Sequence, residues 1–457
     1  MAGIAFKLQK VLDKKDLTSL AKAYSYGAFL SAGGWIISIV TIFLVGFINV
    51  FLFSNLKDVI IYQVSLTYII ALSLIVSSIH HLSFTRFVAD SIYDGKEKDI
   101  IPNFLGLFIL NTVISLIFII VFEYFNLKGV EAHFLIAFLF SFLLLSNVWI
   151  LNILASSVKE FNYVTWVYFI SYVIIIILSV LVGSYGKEYL LLAFFLGNLI
   201  LFFALMYLIV KHYDFERLLS FDFLKAYKKY YELIFIGLFF NLGIWVDEFI
   251  FWYTPLTSVP VIGNIRASLI YDIPLSLAYL SIIPGMAIFF IRLEVDFAIL
   301  YEKYFTGVVE GDMLSTLIFY KNDMIDVLRM AIKESVILQA IFNIFIYLLS
   351  KDIFTALHLP LSALPLFYID LVATQLQLLV MNLLAFLFYL DRRKEALIVS
   401  FLMFISNFIF TKISIKLGPY FYGYGTALAM LLSSVVAILF LRSVVKNLEY
   451  ETFMLQK

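Results

Sequence analysis

The sequence predicts an all-α polytopic membrane protein with about twelve transmembrane helices in two six-helix lobes, with both termini in the cytoplasm. Hydrophobic residues make up 63% of the 457 residues, charged residues make up 14%, and the mean hydropathy is +1.02. Soluble domains carry about 25% charged residues, so a soluble globule is excluded. Apolar runs recur at the length of about 20 residues that crosses a hydrocarbon core of ~30 Å.

Six predicted spans lie in each half of the chain. In the first half they lie near Ala28–Phe53, Val59–Phe84, Asn103–Phe122, Ala132–Ala155, Asn162–Gly183 and Tyr189–Val210. In the second half they lie near Leu233–Tyr253, Ala267–Ile291, Ala331–Leu349, Ala363–Leu390, Ala396–Ile415 and Gly423–Leu441.

The positions of the basic residues orient these spans. When each Lys and Arg is assigned to the nearer side, 25 fall on the side that holds both termini and 7 fall on the other, which accounts for all 32. Cytoplasmic connections carry the excess of Lys and Arg, so both termini are expected in the cytoplasm. Residues 1–27 contain five lysines among regularly spaced apolar residues, which predicts an amphipathic helix on the cytoplasmic face; a solvated tail is the alternative.

The two sets of six spans indicate a duplication. Gly33-Gly34-Trp35 matches Gly243-Ile244-Trp245 at an offset of about 210 residues, and Lys22–Tyr24 matches Lys225–Tyr227 as Lys-Ala-Tyr. We therefore predict an N-terminal lobe over 28–210, a cytoplasmic linker over 211–232 and a C-terminal lobe over 233–457. The second lobe contains a cytoplasmic insertion over 292–328, where apolar residues at helical spacing predict one or two amphipathic helices.

The eighth span is interrupted. It carries Asp272 and contains both Pro274 and Pro284. Each proline removes a backbone donor and displaces a carbonyl, at Ile270 and Leu280, which must then find a partner in protein or water. The two prolines therefore predict a hinge or a cavity-lining broken helix, with an ordinary kinked span as the alternative.

Six segments, in order and in register along the chain, carry a family resemblance. They are Met1–Phe6, Thr85–Asp90, Pro255–Ser258, Arg266–Ser268, Tyr271–Pro274 and Ala278–Ala287. Together they resemble PelG, the family of inner-membrane transport subunits of Pel exopolysaccharide systems. The resemblance implies a flippase fold of the MOP/MATE-like superfamily and a role in exporting a polymer rich in N-acetylgalactosamine. It also implies two kinds of partner, a cytoplasmic glycosyltransferase and other membrane subunits.

Acidic residues at membrane depth are the strongest candidates for a substrate or ion cavity. Asp247 and Glu248 lie about six residues from the outer end of the seventh span. Asp272 lies at a similar depth in the eighth span, and Arg266 lies at the outer end of that span. Carboxylates inside a membrane usually face a cavity and bind ions, protons or cationic ligands. These four residues are predicted to cluster; the alternative is that Arg266 neutralises one acid and the others reach interfacial water.

Further polar side chains lie within the spans. Asn241 is seven residues from Glu248 and so shares its helical face, and Asp370 is a further candidate for the cavity. The other polar residues within the predicted spans are Asn111, Asn147, Asn152, Gln339, Asn343, Gln375, Gln377, Asn382 and Asn407. Amides of this kind suit a sugar chain, and they also serve as hydrogen-bonding glue between helices.

Arg86 and Asp90 are predicted to form a cytoplasmic gate. They lie four residues apart beyond the inner end of the second span, the spacing of an ion pair on a helix. A major-facilitator loop would place Gly-x-x-x-Asp-Arg-x-Gly-Arg at this connection. Here Asp90 is followed by Ser91 and the glycine is Gly95, so the spacing does not fit.

The sequence contains no motif for nucleic-acid, metal or cofactor binding. The net charge is zero, which gives no reason to expect nucleic acid as a partner, and the chain has no cysteine. The five histidines lack ligand spacing and no Gly-x-x-x-x-Gly-Lys-Ser/Thr loop occurs, so we expect neither a metal nor a cofactor.

Three functions are weighed. The first is a polysaccharide transporter of the bacterial inner membrane with a hydrophilic passage between its lobes. The second is a cation-coupled antiporter of drugs or metabolites that uses Asp247, Glu248 and Asp272. The third, a membrane-embedded glycosyltransferase or polymerase, is disfavoured because no large outer loop is available to carry a catalytic acid.

Overall fold

A computed structural model describes residues 37–158 and 160–454. Backbone contacts divide these residues into two compact units, 37–269 and 270–454. The predicted lead-in helix and the Gly33-Gly34-Trp35 half of the repeat lie outside the described residues. The predicted lobe boundaries stay predictions, and the seventh span lies within the first compact unit.

The first unit contains eight helices and a β-hairpin among its described residues. The helices are α1 (Ile37–Phe53), α2 (Leu56–Tyr93), α3 (Ile100–Asn126), α4 (Ala132–Val158), α5 (Phe161–Val182), α6 (Lys187–His212), α7 (Phe223–Lys229) and α8 (Tyr231–Trp252). The strands β1 (Val259–Ile262) and β2 (Ile265–Ala267) pair antiparallel.

The second unit is helical throughout its described part. Its helices are α9 (Leu269–Leu280), α10 (Ile283–Ile291), α11 (Ala298–Glu310), α12 (Leu314–Ala356), α13 (Leu364–Tyr389), α14 (Arg393–Leu417), α15 (Tyr424–Lys446) and α16 (Leu448–Met454). A π-helical turn, Arg292–Phe297, joins α10 to α11.

Eleven of the twelve predicted spans are confirmed in position, and part of the first, Ala28–Phe53, lies outside the described residues. Within the described ranges, eleven helical segments are long and apolar enough to cross a membrane, and Ile37–Phe53 is a shorter apolar helix. Each predicted span overlaps one of these twelve segments. The largest extensions beyond the predicted spans are in Leu56–Tyr93, Leu269–Glu310 and Leu314–Ala356. Each of these segments stays helical beyond the apolar stretch that defined its span.

Helix α2 forms the centre of the first unit and packs against α3, α4, α6, α7 and α8. The ring of Tyr68 stacks on Trp252 of α8 with centroids 4.4 Å apart. Farther along the same interface, the Cα of Gly237 lies so close to the Ser78 carbonyl that a β-carbon would clash with it. Close packing therefore fixes α8 against α2 along most of its length.

The β-hairpin between α8 and α9 was not predicted. Its tip contacts the last turn of α3, where Asn264 donates from its backbone N–H to the Asn126 carbonyl (2.7 Å) and from its amide to the Phe125 carbonyl (3.0 Å). The final carbonyls of a helix have no partner within the helix, so these bonds cap α3. Gly263 has a φ of +56°, and a β-carbon there would lie 2.5 Å from the Asn126 oxygen, so glycine is required.

In the second unit, α12 contacts α10, α11 and α13, and α15 packs against α13 and α14. Helix α12 has 43 residues and contains no Pro or Gly. Its N-terminal part pairs with α11 in a helical hairpin that occupies most of the predicted insertion 292–328. The turn of this hairpin is tight, since Gly311 (φ +81°) and Asp312 both donate their N–H groups to the Gly307 carbonyl.

The predicted orientation can be tested by labelling, because the chain has no native cysteine. Met313→Cys, in the turn before α12, should react with a membrane-impermeant maleimide only after the cytoplasmic side is opened. Tyr420→Cys, on the opposite predicted side and 91% exposed, should react in intact spheroplasts. Labelling of both positions from the same side would contradict the topology.

Candidate functional site

The two adjacent acids of the first unit are buried in α8. Asp247 is fully buried and Glu248 is 6% exposed. Asn241, two turns earlier, donates its amide hydrogen to the Gly237 carbonyl (3.1 Å). A buried carboxylate is costly unless it has polar surroundings, so two in succession mark a specialised stretch of the helix.

Arg266 lies in β2, and its guanidinium is directed to the hairpin. Its Nε donates to the Ser258 hydroxyl (2.8 Å) and its Nη2 donates to the Ser258 carbonyl (2.9 Å). Its own carbonyl accepts from the Tyr68 hydroxyl (2.8 Å), so Arg266 fastens the hairpin to α2. The predicted grouping of Arg266 with Asp247, Glu248 and Asp272 stays a prediction.

Arg86 and Asp90 pair within α2 as their spacing predicts, with Arg86 Nε 3.0 Å from Asp90 Oδ1. Tyr230, at the start of α8, completes the arrangement. Its hydroxyl donates to Asp90 Oδ2 (3.0 Å), and the guanidinium of Arg86 lies over its ring at 5.3 Å. The cluster thus joins the C-terminal part of α2 to the end of the linker, and its role as a gate stays a prediction.

The linker between α6 and α8 is fastened at several further points. The Phe223 N–H donates to Asn103 Oδ1 (3.0 Å), and the Tyr227 hydroxyl lies 3.1 Å from His80 Nδ1. Burial raises the pKa of Tyr227 above its ordinary value. Hydrogen bonds from Lys225 and Ser220 lower the pKa of the Asp222 carboxyl, which keeps it charged.

In the second unit, the two prolines differ in effect. Pro274 lies inside α9 without ending it, whereas Pro284 lies in the first turn of α10, after a break at Ser281 and Ile282. Proline is tolerated in a first turn because that N–H has no partner there in any case. The broken helix is therefore present at Pro284, and hinge motion at either proline stays a prediction.

Gln339 of α12 forms hydrogen bonds with the backbone groups beside this break. Its amide Nε2 donates to the Ser281 carbonyl (2.8 Å), and its Oε1 accepts from the Gly285 N–H (3.2 Å). Ser335, one turn away, donates to the Gly285 carbonyl (3.2 Å). A β-carbon on Gly285 would lie 2.8 Å from Gln339 Oε1, so the close approach depends on glycine.

The amides around Gln339 form one buried network. Gln339 donates to Asn343 Oδ1 (2.8 Å), and Asn343 donates to the Leu371 carbonyl and to Gln375 Oε1, both at 3.0 Å. Gln375 in turn donates to the Val336 carbonyl (3.1 Å), and Asn382 donates to Ser335 Oγ (3.0 Å). These amides are engaged in hydrogen bonds to one another and to neighbouring helices. The structure therefore favours a role in helix packing over a role as a free sugar-binding face.

Two predicted cavity acids, Asp272 and Asp370, lie in the second unit, Asp272 in the first turn of α9 and Asp370 beside the N-cap of α15. Asp272 is half-buried in the first turn of α9, where the helix dipole favours negative charge. Asp370 is fully buried on α13, and a β-carbon on Gly423, the N-cap of α15, would lie 2.9 Å from its Oδ1. The roles of both acids as cavity residues stay predictions.

A second arginine cluster was missed by the sequence analysis. Arg292 lies 2.6 Å from Asp296 and makes a bidentate pair with Glu334 of α12, at 2.8 and 3.0 Å. Within the π-helical turn, Glu294 accepts from the Tyr389 hydroxyl (2.9 Å). Arg292 and Asp296 have the same four-residue spacing as Arg86 and Asp90, and this spacing is a signal in the sequence that would have found them.

Among the described residues, no group of three or more His, Asp or Glu side chains is arranged to hold a metal ion.

The comparisons with known proteins decide the family. A model of the PelG exopolysaccharide exporter family (EPS-E) matches residues 1–453. The chain belongs to this family. Among curated proteins, none matches the chain.

Solved structures show the same fold at low identity. A MOP superfamily transporter from Pyrococcus furiosus is 15% identical with a TM-score of 0.65, over 94% of this chain and 96% of that one. A MATE protein in its bent conformation is 14% identical with a TM-score of 0.65, over 94% and 97%. A multidrug resistance MATE transporter in an outward-facing conformation is 16% identical with a TM-score of 0.59, over 93% and 99%. The chain is thus a multi-pass membrane protein with the MOP/MATE transporter fold.

Gln339→Leu should destabilise the protein, because it leaves the Ser281 carbonyl and the Gly285 N–H without their partner. Each buried unpaired group costs about 1–3 kcal/mol. The measurement is thermal unfolding of the purified protein in detergent. Asn322→Leu, at an exposed position of the same helix, is the control. Equal Tm values for the two variants would contradict the assignment.

Tyr230→Phe should weaken the junction of α2 with the linker, because it removes the hydroxyl that donates to Asp90. The expected loss of stability is about 0.5–1.5 kcal/mol, and Arg86→Gln should be non-additive with it. Tyr231→Phe, at the neighbouring and 53% exposed tyrosine, is the control. Additive effects of Tyr230→Phe and Arg86→Gln would show that the three residues do not act as one cluster.

Proposed function

We propose that this chain moves a Pel-type exopolysaccharide, rich in N-acetylgalactosamine, or a precursor of it, across the bacterial cytoplasmic membrane. The match to the exporter family over residues 1–453 carries the proposal. This match includes both compact units of the structure. The chain accordingly acts as a transporter and not as an enzyme.

The transport route needs polar walls, since a sugar chain carries many hydroxyls that lipid cannot hydrogen-bond. The buried acids of α8 are the best candidates for those walls in the first unit. Asp247 and Glu248 are buried in a membrane-spanning helix, and Asn241 lies on the face of Glu248 two turns away. We assign Asp272 and Asp370 to the same role in the second unit.

The proposal includes a supplier of the cargo. Activated sugars are nucleotide conjugates of the cytoplasm, so a cytoplasmic glycosyltransferase must make the polymer or precursor before export. Other membrane subunits are the second kind of partner that the family resemblance implies.

A second candidate, a cation-coupled antiporter of drugs or metabolites, is favoured by one observation. Adjacent buried carboxylates such as Asp247 and Glu248 are typical of groups that bind protons or cations during transport. The experiments below separate the two functions.

Deletion of the gene in a producing strain should abolish polymer at the cell surface while polymer or precursor still forms inside the cell. Surface polymer is measured by lectin binding, and intracellular glycan is measured in the lysate. The wild-type gene on a plasmid should restore export. Unchanged surface polymer in the deletion strain would contradict the proposal.

Asp247→Asn and Glu248→Gln should each lower export by about tenfold with unchanged protein in the membrane, because each removes a charge from the route. Glu131→Gln, at a side chain 70% exposed, is the control and should export normally. Loss of drug efflux in the same variants with normal polymer export would favour the antiporter.

A further inference from the structure

The linker between α6 and α8 presents apolar side chains next to a row of lysines. Between residues 218 and 224, four apolar side chains are 40–73% exposed, and we call this set the apolar edge: Leu218, Leu219, Phe221 and Leu224. Apolar side chains grouped in this way on a surface usually mark an interaction site. Both the position and the charge of the apolar edge indicate what binds there.

The apolar edge lies at the level of the predicted membrane boundary. The Ser220 N–H donates to the Pro102 carbonyl (3.0 Å), and a β-carbon on Gly106 would clash with the Ser220 carbonyl. The predicted span in α3 begins at Asn103, so Gly106 lies about 5 Å inside this span along the helix axis. Amphipathic segments on a membrane surface bury their apolar side chains at this depth. The position of the apolar edge therefore favours lipid as its occupant.

Helix α7, which follows the apolar edge, is held on the first unit by its aromatic face. Phe223 is fully buried with its ring centroid 5.9 Å from that of Phe84, and its N–H donates to Asn103 Oδ1. Tyr227, one turn later, is buried beside His80. These contacts fix which side of α7 faces away from the protein, and this reduces the entropy cost of binding a ligand there.

The opposite side of α7 is basic. The helix contains no acid and three exposed lysines, which we call the lysine face: Lys225, Lys228 and Lys229. Lys225 pairs with Asp222 (2.7 Å), whereas Lys228 and Lys229 form no ion pair with an acid among the described residues. Anionic phospholipids attract basic segments at a membrane surface. The charge of α7 therefore complements an anionic headgroup beside the apolar edge.

We propose that the linker is a binding site for anionic phospholipid of the cytoplasmic leaflet. The acyl chains cover the apolar edge, and the phosphate accepts hydrogen bonds from Lys228 and Lys229. Lys225 contributes to the same site, because its ammonium has three N–H donors and Asp222 does not use all of them. Lipid bound in this way holds α7 against α2, so it stabilises the first unit. The assignment to this leaflet rests on the predicted orientation.

The first test measures thermal unfolding of the purified full chain in detergent as lipid is added. Phosphatidylglycerol should raise the Tm with increasing concentration, because a ligand that binds only the folded state stabilises it. Phosphatidylcholine, which carries no net charge, should raise the Tm much less, and inorganic phosphate should have no effect. Equal shifts from the two lipids, or a shift of the same size from inorganic phosphate, would overturn the proposal.

Lys228→Gln with Lys229→Gln should weaken the apparent affinity for phosphatidylglycerol by about tenfold, because it removes two charges from the lysine face. The control is Lys96→Gln with Lys303→Gln, which removes two exposed lysines from the same predicted side and leaves the linker intact. An equal loss of affinity in both variants would show that the total charge matters and not this site, and the proposal would then fail.

The second test measures the depth of the apolar edge in the membrane. Leu218→Cys provides the single cysteine of the chain for a fluorophore, and the protein is reconstituted in phosphatidylglycerol vesicles with a nitroxide on the acyl chain. Quenching should be at least about threefold stronger than for the same fluorophore at Met313→Cys, in the turn before α12. Equal quenching at the two positions would overturn the proposal, as would a disulfide between two copies through Leu218→Cys, which would assign the apolar edge to a dimer contact.

The lipid site does not depend on the identity of the cargo. If deletion of the gene abolishes surface polymer but the two tests fail, the lipid site is wrong and the proposed function stands. If the tests succeed and the deletion leaves surface polymer unchanged, the proposed function fails and the lipid site stands.

Discussion

The second unit depends on the bonds that Gln339 makes to the break between α9 and α10. Lipid offers no hydrogen-bond partner, so every backbone group that a broken span exposes must be served by protein or water. One amide meets this requirement on both sides of the break, through the Ser281 carbonyl and the Gly285 N–H. The network then continues through Asn343 to α13, so the interruption of one span is tied to the packing of two neighbouring helices, α12 and α13.

The sequence predicted the features that depend on local pattern. Runs of apolar residues located the eleven spans found among the described residues, and the four-residue spacing of Arg86 and Asp90 predicted their ion pair. Pro284 predicted a break in the eighth span, and the helix is broken there. Each of these depends on residues that are close together in the chain, which is why a single sequence was sufficient.

Most of the features that were missed depend on contacts between distant residues; the exception is the ion pair of Arg292 with Asp296, whose spacing is local. Gln339 is 58 residues from Ser281, and its amide looks in the sequence like any other polar side chain in a span. The β-hairpin has strands of only three and four residues, and its tip is held by α3, more than 130 residues earlier. The sequence could not show whether Gln375 and Asn382 bond to other helices or form a sugar-binding face. The answer depends on which helices lie beside them.

The fold of this family tolerates wide divergence. Transporters that are 14–16% identical share it over more than 90% of the chain, because any apolar side chain of suitable size can face lipid or fill the space between helices. Buried polar residues are more constrained, since each needs a partner of matching chemistry. Differences in cargo among such proteins are therefore expected at positions such as Asp247, Glu248 and Asp370.

The uninterrupted length of α12 has a mechanical consequence. A helix without Pro or Gly has no built-in flexure, so its two ends behave as parts of one stiff rod. Met313 precedes this rod and Gln339 lies within it, about 39 Å farther along its axis. A displacement of the N-terminal end of α12 along the helix axis is therefore passed on to the point where the eighth span is broken.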